Sequence, residues 1–332
     1  MNYQKIMVTG GAGFIGSSLV EELIVRGKKV VVLDNLSSGN LENISHLLEN
    51  PNLTFVNDSM SDSDKIYKLL EGCQIVFHLA ASPDVRIGQS NTRIDFENNV
   101  VTTYNLLEAM RKTSTCKNIV FTSTSTVYGN ANQIPTPENY GPLKPISLYG
   151  SSKLACESYI SGYSHMFGFG SAILRFANII GPKSNHGVIF DFKKKLDDNP
   201  NFLELLGDGT QNKSYLYIDD CIEGILAVSK SLKDETEIFN IGSENQVDVF
   251  TIANLVTKEM GLENVQINLK SILKNGEGWL GDVKNMQLDI KKIKKLGWES
   301  KHQSVEAVTK TIGGILSRQA KIIPSAIIKE RR

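Results

Sequence analysis

The sequence predicts an α/β protein: a doubly wound parallel sheet carrying a smaller, mostly helical C-terminal lobe. Three observations point there. Short β-branched runs alternate with longer amphipathic stretches along the first half of the chain. Runs such as "VVVL", Val30–Leu33, show no polar alternation. That is the pattern of parallel strands covered by helices on both faces. A glycine-rich turn, "TGGAGFIG", joins the first run to the first helical pattern.

Taken in order, "KIMVTG" is the first strand and "FIGSSLVEELIVRG" the first helix. "KKVVVLDN", "LTFVND", "QIVFHLA", "NIVFTS" and "AILRFANI" supply further strands, with amphipathic stretches between several of them. This is a Rossmann-like domain over residues 1–178. Past Gly181 the spacing loosens. "GVIFDFKKKLDD", "TIANLVTKEMG" and "QSVEAVTKTIGGILSRQA" read as helices with no regular strand between each pair. They assign 179–214 and 244–318 to a substrate lobe. "YIDDCIEGILAVSK" and "EIFNIGS", within about 215–243, return to the sheet. The tail 319–332, with its proline and clustered charge, reads as flexible.

Bulk properties exclude several classes. The 332 residues are 41% hydrophobic and 22% charged, ordinary for a globular protein with a sizeable core. Lys plus Arg (36) balance Asp plus Glu (36), so no broadly basic surface marks a nucleic-acid partner. The four cysteines are widely spaced with no CxxC pair, which fits free thiols in a reducing cytoplasm. The histidines lack metal-ligand spacing, so no metal is expected. Met1 is followed within five residues by a strand, leaving no room for a signal peptide. No apolar run approaches the roughly 18 residues of a membrane span.

The glycine-rich turn carries the first chemistry. Gly10, Gly11, Gly13 and Gly16 permit a tight turn, close approach of backbone to a pyrophosphate, and close helix packing. The helix that follows then offers free N–H groups and its positive dipole end to the phosphates. The second strand ends at Asp34, where a carboxylate accepts from the adenosine ribose and repels a 2′-phosphate. No arginine or lysine follows in "DNLSSGN", so the expected cofactor is NAD rather than NADP. Asp58, after the third strand, reads either as a partner of the adenine edge or as a surface carboxylate.

The fifth strand ends in five consecutive hydroxyl residues, "TSTST", followed by "VYG". Buried hydroxyls need partners, so this end of the strand is either a polar surface or a chemical one. Downstream, "YGSSK" places Tyr149 and Lys153 one turn apart on one helix face. A phenol titrates near 10 and is a poor base at neutral pH. A neighbouring ammonium and the cation of an oxidised nicotinamide stabilise its phenolate, making Tyr149 a proton acceptor and donor.

With these residues in hand, the sequence resembles the extended short-chain dehydrogenase/reductases, specifically the nucleotide-sugar epimerases typified by UDP-glucose 4-epimerase. The resemblance runs from about Lys5 to Leu316. It rests jointly on "TGGAGFIG", "HLAA", "NNVVTTYNLLEAM", "TSTSTVYG", "YGSSK", "LRFANIIGP", "GDGTQNKSYLYIDD" and "LGW". It implies a catalytic triad of Thr124, Tyr149 and Lys153, with Thr124 bonding the sugar hydroxyl being oxidised. It implies cofactor contacts at Gly10, Gly13, Phe14, Ile15, Gly16, Asp34, Asn35, Asp58, Ser59, Leu79, Ala80, Ala81, Asn99, Tyr149, Lys153 and Phe176. His78 falls at the "HLAA" strand end beside the cofactor. Substrate contacts are implied at Thr124, Ser125, Asn178, Gly187, Val188, Lys213 and Asp282, with a UDP-sugar as substrate. Stretches Ile94–Thr113 and Leu148–Phe167 match the helices that form a four-helix bundle between subunits in this family, implying a homodimer.

Related dehydratases carry Asp and Glu after the catalytic Thr, and related decarboxylases carry Glu at the second position. This chain has Ser125 and Thr126, which are not acids at neutral pH. The implied activity is therefore 4-epimerisation through a transient 4-keto sugar, not elimination. Two departures stand on the substrate side. Lys213 occupies a place that is usually arginine, giving charge without the bidentate fork. Trp279, in "WLGD", stands where a second phosphate-binding arginine is expected, either stacking on a base or packing. Met286 lies where residue size governs room for a 2-N-acetyl group, and methionine is intermediate. Arg86 reads as a surface arginine or as a partner for a phosphate or an acidic sugar.

Overall fold

The computed structural model describes residues 3–271 and 273–329. Six strands open the chain: β1 (Lys5–Thr9), β2 (Lys29–Asp34), β3 (Leu53–Asn57), β4 (Ile75–His78), β5 (Asn118–Thr124) and β6 (Gly170–Phe176). A seventh, Thr236–Ile241, joins them in one sheet ordered Thr236–Ile241, β6, β5, β4, β1, β2, β3. Every pairing is parallel. Val8 of β1 faces Val32 of β2 on one side and Phe77 of β4 on the other.

This order explains the uninterrupted apolar runs. Ile6, Val8 and Val32 pack with Leu19 and Leu23 of the first helix, Phe14–Val25, on one face. Met7, Val31 and Leu33 pack on the other face with Leu107 and Ile160. The central strands β1 and β4 are therefore buried on both faces, with polar residues only at their ends. The chain runs outward from β1 to β3 and then returns to β4 on the far side of β1. Loops leaving β1 and β4 part at that reversal, opening a crevice at the carboxyl ends of the strands. The architecture is the doubly wound, Rossmann-like sheet that the sequence predicts.

Beyond β6 the structure differs from the sequence expectation in two respects. The helices Val188–Asp198, Val249–Glu259 and Ser304–Lys329 are present. Between the first two, however, lies a strand, Phe202–Leu206, paired in parallel with Gln266–Lys270. Shorter ladders join Asn212–Lys213 to Val247–Asp248 and Asn285–Met286, and Asn178–Ile180 to Tyr215–Tyr217. These strands are two to five residues long. Such brief runs are too short to read from sequence. The stretch from 319, read as a tail, continues the last helix to Lys329; residues 330–332 lie outside the described residues. Among the described residues, no helix is long and apolar enough to cross a membrane.

Candidate active site

A cavity of about 510 Å³ runs along the carboxyl ends of the strands, from the glycine-rich turn to the C-terminal lobe. At one end the turn is closed by backbone alone. Gly10 has φ +70°, and a Cβ there would lie 2.7 Å from Ala80 N. A Cβ on Gly16 would lie 2.0 Å from the Gly10 carbonyl oxygen. Gly13 caps the first helix with no side chain bonded to it, so the first-turn N–H groups and positive dipole end remain for an anion. Gly10, Gly13, Phe14, Ile15 and Gly16 all line the cavity.

Asp34 and Asn35 form the next part of the wall. The Asp34 carboxylate accepts from Ala12 N at 2.9 Å and Leu36 N at 2.8 Å, which fixes its direction. Asp58 also lines the cavity, accepting from Lys65 at 2.9 Å; that bond holds its carboxyl below the usual carboxylate range. Leu79, Ala80, Ala81 and Phe176 complete this region. Ser59 and Asn99 do not line it. The Ser59 hydroxyl bonds Ser61 at 2.7 Å. Asn99 accepts from Ser82 N at 2.9 Å and donates to Ser152 at 2.8 Å, bracing the wall from behind. Asn98 and Thr102 face the cavity there instead. An uncapped helix N-terminus, a turn without room for side chains, and an oriented carboxylate fit a dinucleotide.

At mid-cavity three predicted side chains converge. Thr124 ends β5, and its hydroxyl accepts from Thr126 N at 3.1 Å, starting a short 3-10 turn over Ser125–Tyr128. Tyr149 and Lys153 lie on the helix Leu148–Phe167, whose N-cap Ser147 accepts from Gly150 N at 3.1 Å. Lys153 is buried and donates to the Thr122 carbonyl at 2.9 Å, with its ammonium 6.0 Å from the Tyr149 ring centroid. Burial lowers its pKa to about 8. The Tyr149 phenol is instead pushed up, first by burial and then by the Asp95 carboxyl. The lowering expected from Lys153 is not seen here; its ammonium is turned to the Thr122 carbonyl, and burial dominates the phenol.

Behind this group the hydroxyls divide by role. Ser123 donates to Glu157 at 2.5 Å, and Glu157 pairs with Arg175 at 2.7 Å, both nearly fully buried. Ser125 and Thr126 face the cavity. His78 bonds Thr9 at 2.7 Å and Thr103 at 2.9 Å. Burial, helped by Lys153, drops its pKa to about 3, so it is a neutral structural residue.

The far wall comes from separate segments of the second lobe. Asn178, Gly187, Val188, Lys213 and Asp282 line it, as do Trp279 and Met286. The Asn178 amide donates to Ser214 O at 3.1 Å. Lys213 pairs with buried Asp282 at 2.6 Å, and its ammonium lies 5.2 Å from the Trp279 ring centroid. Arg86 is not an isolated surface arginine: it lines the cavity, pairing with Asp84 at 3.1 Å and across the cleft with Asp191 at 3.4 Å. Sequence reasoning missed Lys183, which lines the cavity and pairs with Glu21 of the first helix at 2.7 Å. It also missed Thr311 and Ile315, brought to the wall by the last helix. Nothing in their ordinary amphipathic context marks them.

Residues 6–242 match the model of the NAD dependent epimerase/dehydratase family. The chain is 36% identical over 301 residues to "Uncharacterized UDP-glucose epimerase YtcB" of Bacillus subtilis, covering 88% of this chain and 91% of that protein. A crystal structure of UDP-galactose 4-epimerase superposes with a TM-score of 0.83 at 41% identity, over 95% of this chain and 99% of that one. The UDP-glucuronic acid 4-epimerase of Bacillus cereus, solved with UDP-glucuronic acid and NAD, gives 0.85 at 29% identity, over 95% and 100%. The glycine turn, Asp34 and the Tyr149–Lys153 pair fall inside the matched segment, and this chain belongs to the NAD dependent epimerase/dehydratase family.

Proposed function

We propose that this chain is a nucleotide-sugar 4-epimerase with tightly bound NAD, acting on a UDP-hexose such as UDP-glucose or its N-acetyl form. The observation that carries the reading is the meeting of Thr124, Tyr149 and Lys153 in one cavity, with Ser125 and Thr126 where an elimination would need acids. Gly10, Gly13, Phe14, Ile15 and Gly16 hold the pyrophosphate, Asp34 and Asn35 the ribose, and Asp58 the adenine side. When bound, NAD supplies reversible oxidation of the sugar C4, and so a transient 4-ketone.

The chain's own residues handle the proton. Tyr149 removes it from the 4-hydroxyl and later returns it to the ketone oxygen. Lys153 holds positive charge beside the phenol and is kept in place by the Thr122 carbonyl. Thr124 donates a hydrogen bond to the reacting oxygen. Asn178, Gly187, Val188, Lys213 and Asp282, in the lobe formed by 179–214 and 244–318, hold the nucleotide and let the keto sugar turn between hydride transfers. Arg86 is already paired with Asp84 and Asp191, which weakens its pull on a uronate and favours a neutral hexose.

Exposed Phe96, Tyr104, Tyr159 and Met166 on the two helical stretches support a homodimer through a four-helix bundle. Four free, buried cysteines support a reducing, cytoplasmic setting. The test is NMR of the anomeric proton with UDP-glucose, UDP-N-acetylglucosamine and UDP-glucuronate separately. Conversion of one to a C4-epimer mixture without added NADH is expected, falling about 10²–10⁴-fold in Tyr149→Phe. A stable 4-keto-6-deoxy product would sink the reading. Nucleotide binding with no turnover of any sugar would favour a non-catalytic NAD sensor.

A further inference from the structure

Part of the wall at the dinucleotide end comes from two segments far apart in the chain. One is the loop after β2, whose Asn35, Ser37, Ser38 and Asn43 line the cavity. The other is the last helix, Ser304–Lys329, which brings Thr311 and Ile315 to the same cavity. Arg318 lies three residues past Ile315 and seven past Thr311, on the same helix face. The helix is seated firmly up to that point. Ala307, Val308, Ile312 and Ile315 are buried in the core, and a Cβ on Gly314 would lie 2.5 Å from Pro182 Cγ.

Asn43 joins the two segments, and it is only 7% exposed. Its Nδ2 donates to the Ala12 carbonyl of the glycine-rich turn at 3.0 Å, and its Oδ1 accepts from Arg318 Nη2 at 3.0 Å. A carbonyl only accepts and a guanidinium only donates, so the amide has one orientation that serves both. Ala12 O also accepts from Asn40 N at 3.0 Å, and the Asn43 carbonyl accepts from Lys183 at 3.4 Å. The loop is thus tied to the turn on one side and to the last helix on the other.

What these bonds do follows from what can move. The neighbouring walls are strand ends of the central sheet and the turn itself, whose packing excludes a Cβ at Gly10 and Gly16. A dinucleotide lodged between that turn and Asp34 leaves when loop 35–43 swings out, and the swing must part Asn43 from Arg318. The proposed reaction needs such a restraint, because the reduced cofactor must stay in place while the keto sugar turns. We infer that Arg318 is a positioning residue for the cofactor: through Asn43 it holds loop 35–43 closed over the adenosine of NAD and slows its release. This deepens the reading of tightly bound NAD and rests on it.

The test measures NAD release from the purified full-length holoprotein with no sugar present. Excess alcohol dehydrogenase and ethanol convert each released NAD to NADH, whose absorbance gives the rate independently of this chain's own catalysis. Arg318→Met keeps the aliphatic stem and removes the donors. It is expected to release NAD about three- to tenfold faster, with the melting temperature at saturating NAD within about 2 °C of the parent. Asn43→Ala should release faster still, since it also frees the Ala12 carbonyl. In the double variant the Arg318 substitution should add nothing, because its partner is gone. An unchanged rate in Arg318→Met, or two effects that multiply in the double variant, overturns the inference. Parent protein that sheds NAD on mixing removes the tight cofactor and the latch together. Slow release that neither variant alters removes the latch alone. Slow, Arg318-dependent release without turnover of any UDP-sugar leaves the latch standing and removes the proposed reaction.

Discussion

The two ends of the cavity are built by different means. At the dinucleotide end the shaping groups are mostly main chain: a turn that excludes Cβ atoms at Gly10 and Gly16, an uncapped helix terminus, and a carboxylate held by two backbone N–H groups. At the substrate end the shaping groups are side chains from segments far apart in sequence, such as Asn178, Gln211, Lys213, Trp279 and Asp282. Backbone shape is preorganised and tolerates no added atom. A side-chain wall can be retuned residue by residue, which suits the part of a site that chooses among sugars and nucleosides.

The sharpest way to break this contrast is one methyl group. Gly16→Ala places a Cβ 2.0 Å from a backbone carbonyl oxygen, which has no rotamer by which to retreat. The turn must open. The protein is expected to purify with its NAD content at background and to lose about 1–3 kcal/mol of stability, read by cofactor release on denaturation and by chemical unfolding. Retention of NAD in this variant would show that the turn is compliant and the contrast unfounded.

The same contrast governs what could be read in the sequence. "TGGAGFIG" is legible because a short contiguous run sets the backbone geometry, and the position of Asp34 follows from the strand that carries it. Tyr149 and Lys153 are legible because one helical turn joins them. Lys183 is not, because its partner Glu21 lies on the first helix and only folding brings them together. Thr311 is hidden likewise on an amphipathic helix. Asn99 belongs to a π-helical stretch, Phe96–Val101, whose wider winding sets Asn98 and Thr102 at the wall and Asn99 on Ser82 N and Ser152 just behind it. Sequence spacing alone presumes α-helical winding. The short strands of the second lobe escaped because ladders of two to five residues are too brief to impose a clear period on the sequence.

Lys153 sits where the two ends meet, and its titration gives an intermediate effect. Burial lowers its pKa to about 8, against about 10.5 in the unfolded chain. Below pH 8 both states carry the charge, and the folded protein bears the full cost of burying it. Between 8 and 10.5 the unfolded state holds the proton and the folded state does not. Stability from this group therefore rises with pH across that window, by about 3 kcal/mol in all. Activity should move the opposite way, because the neutral amine no longer favours the phenolate. The expected outcome is kcat/KM falling above pH 8 while unfolding, compared with Lys153→Met, shows a positive stability slope. Parallel pH trends in both would remove Lys153 as the charge that serves Tyr149.

The smallest effect tests whether the two ends are held together. Arg86 spans the cleft to Asp191, but these side chains are 42% and 39% exposed, so the pair is screened. Such a bridge contributes below about 0.5 kcal/mol to stability. Its expected role is kinetic, a contact that must part and re-form as nucleotide enters and leaves. Asp191→Asn should leave the melting temperature within about 1 °C. It should raise the nucleotide dissociation rate about twofold at low salt, a difference that disappears near about 0.5 M salt as the Debye length shrinks. Stopped-flow fluorescence from Trp279 can follow this. A marked loss of stability in Asp191→Asn would mean that the two ends are one rigid unit, with the substrate wall as preorganised as the glycine turn.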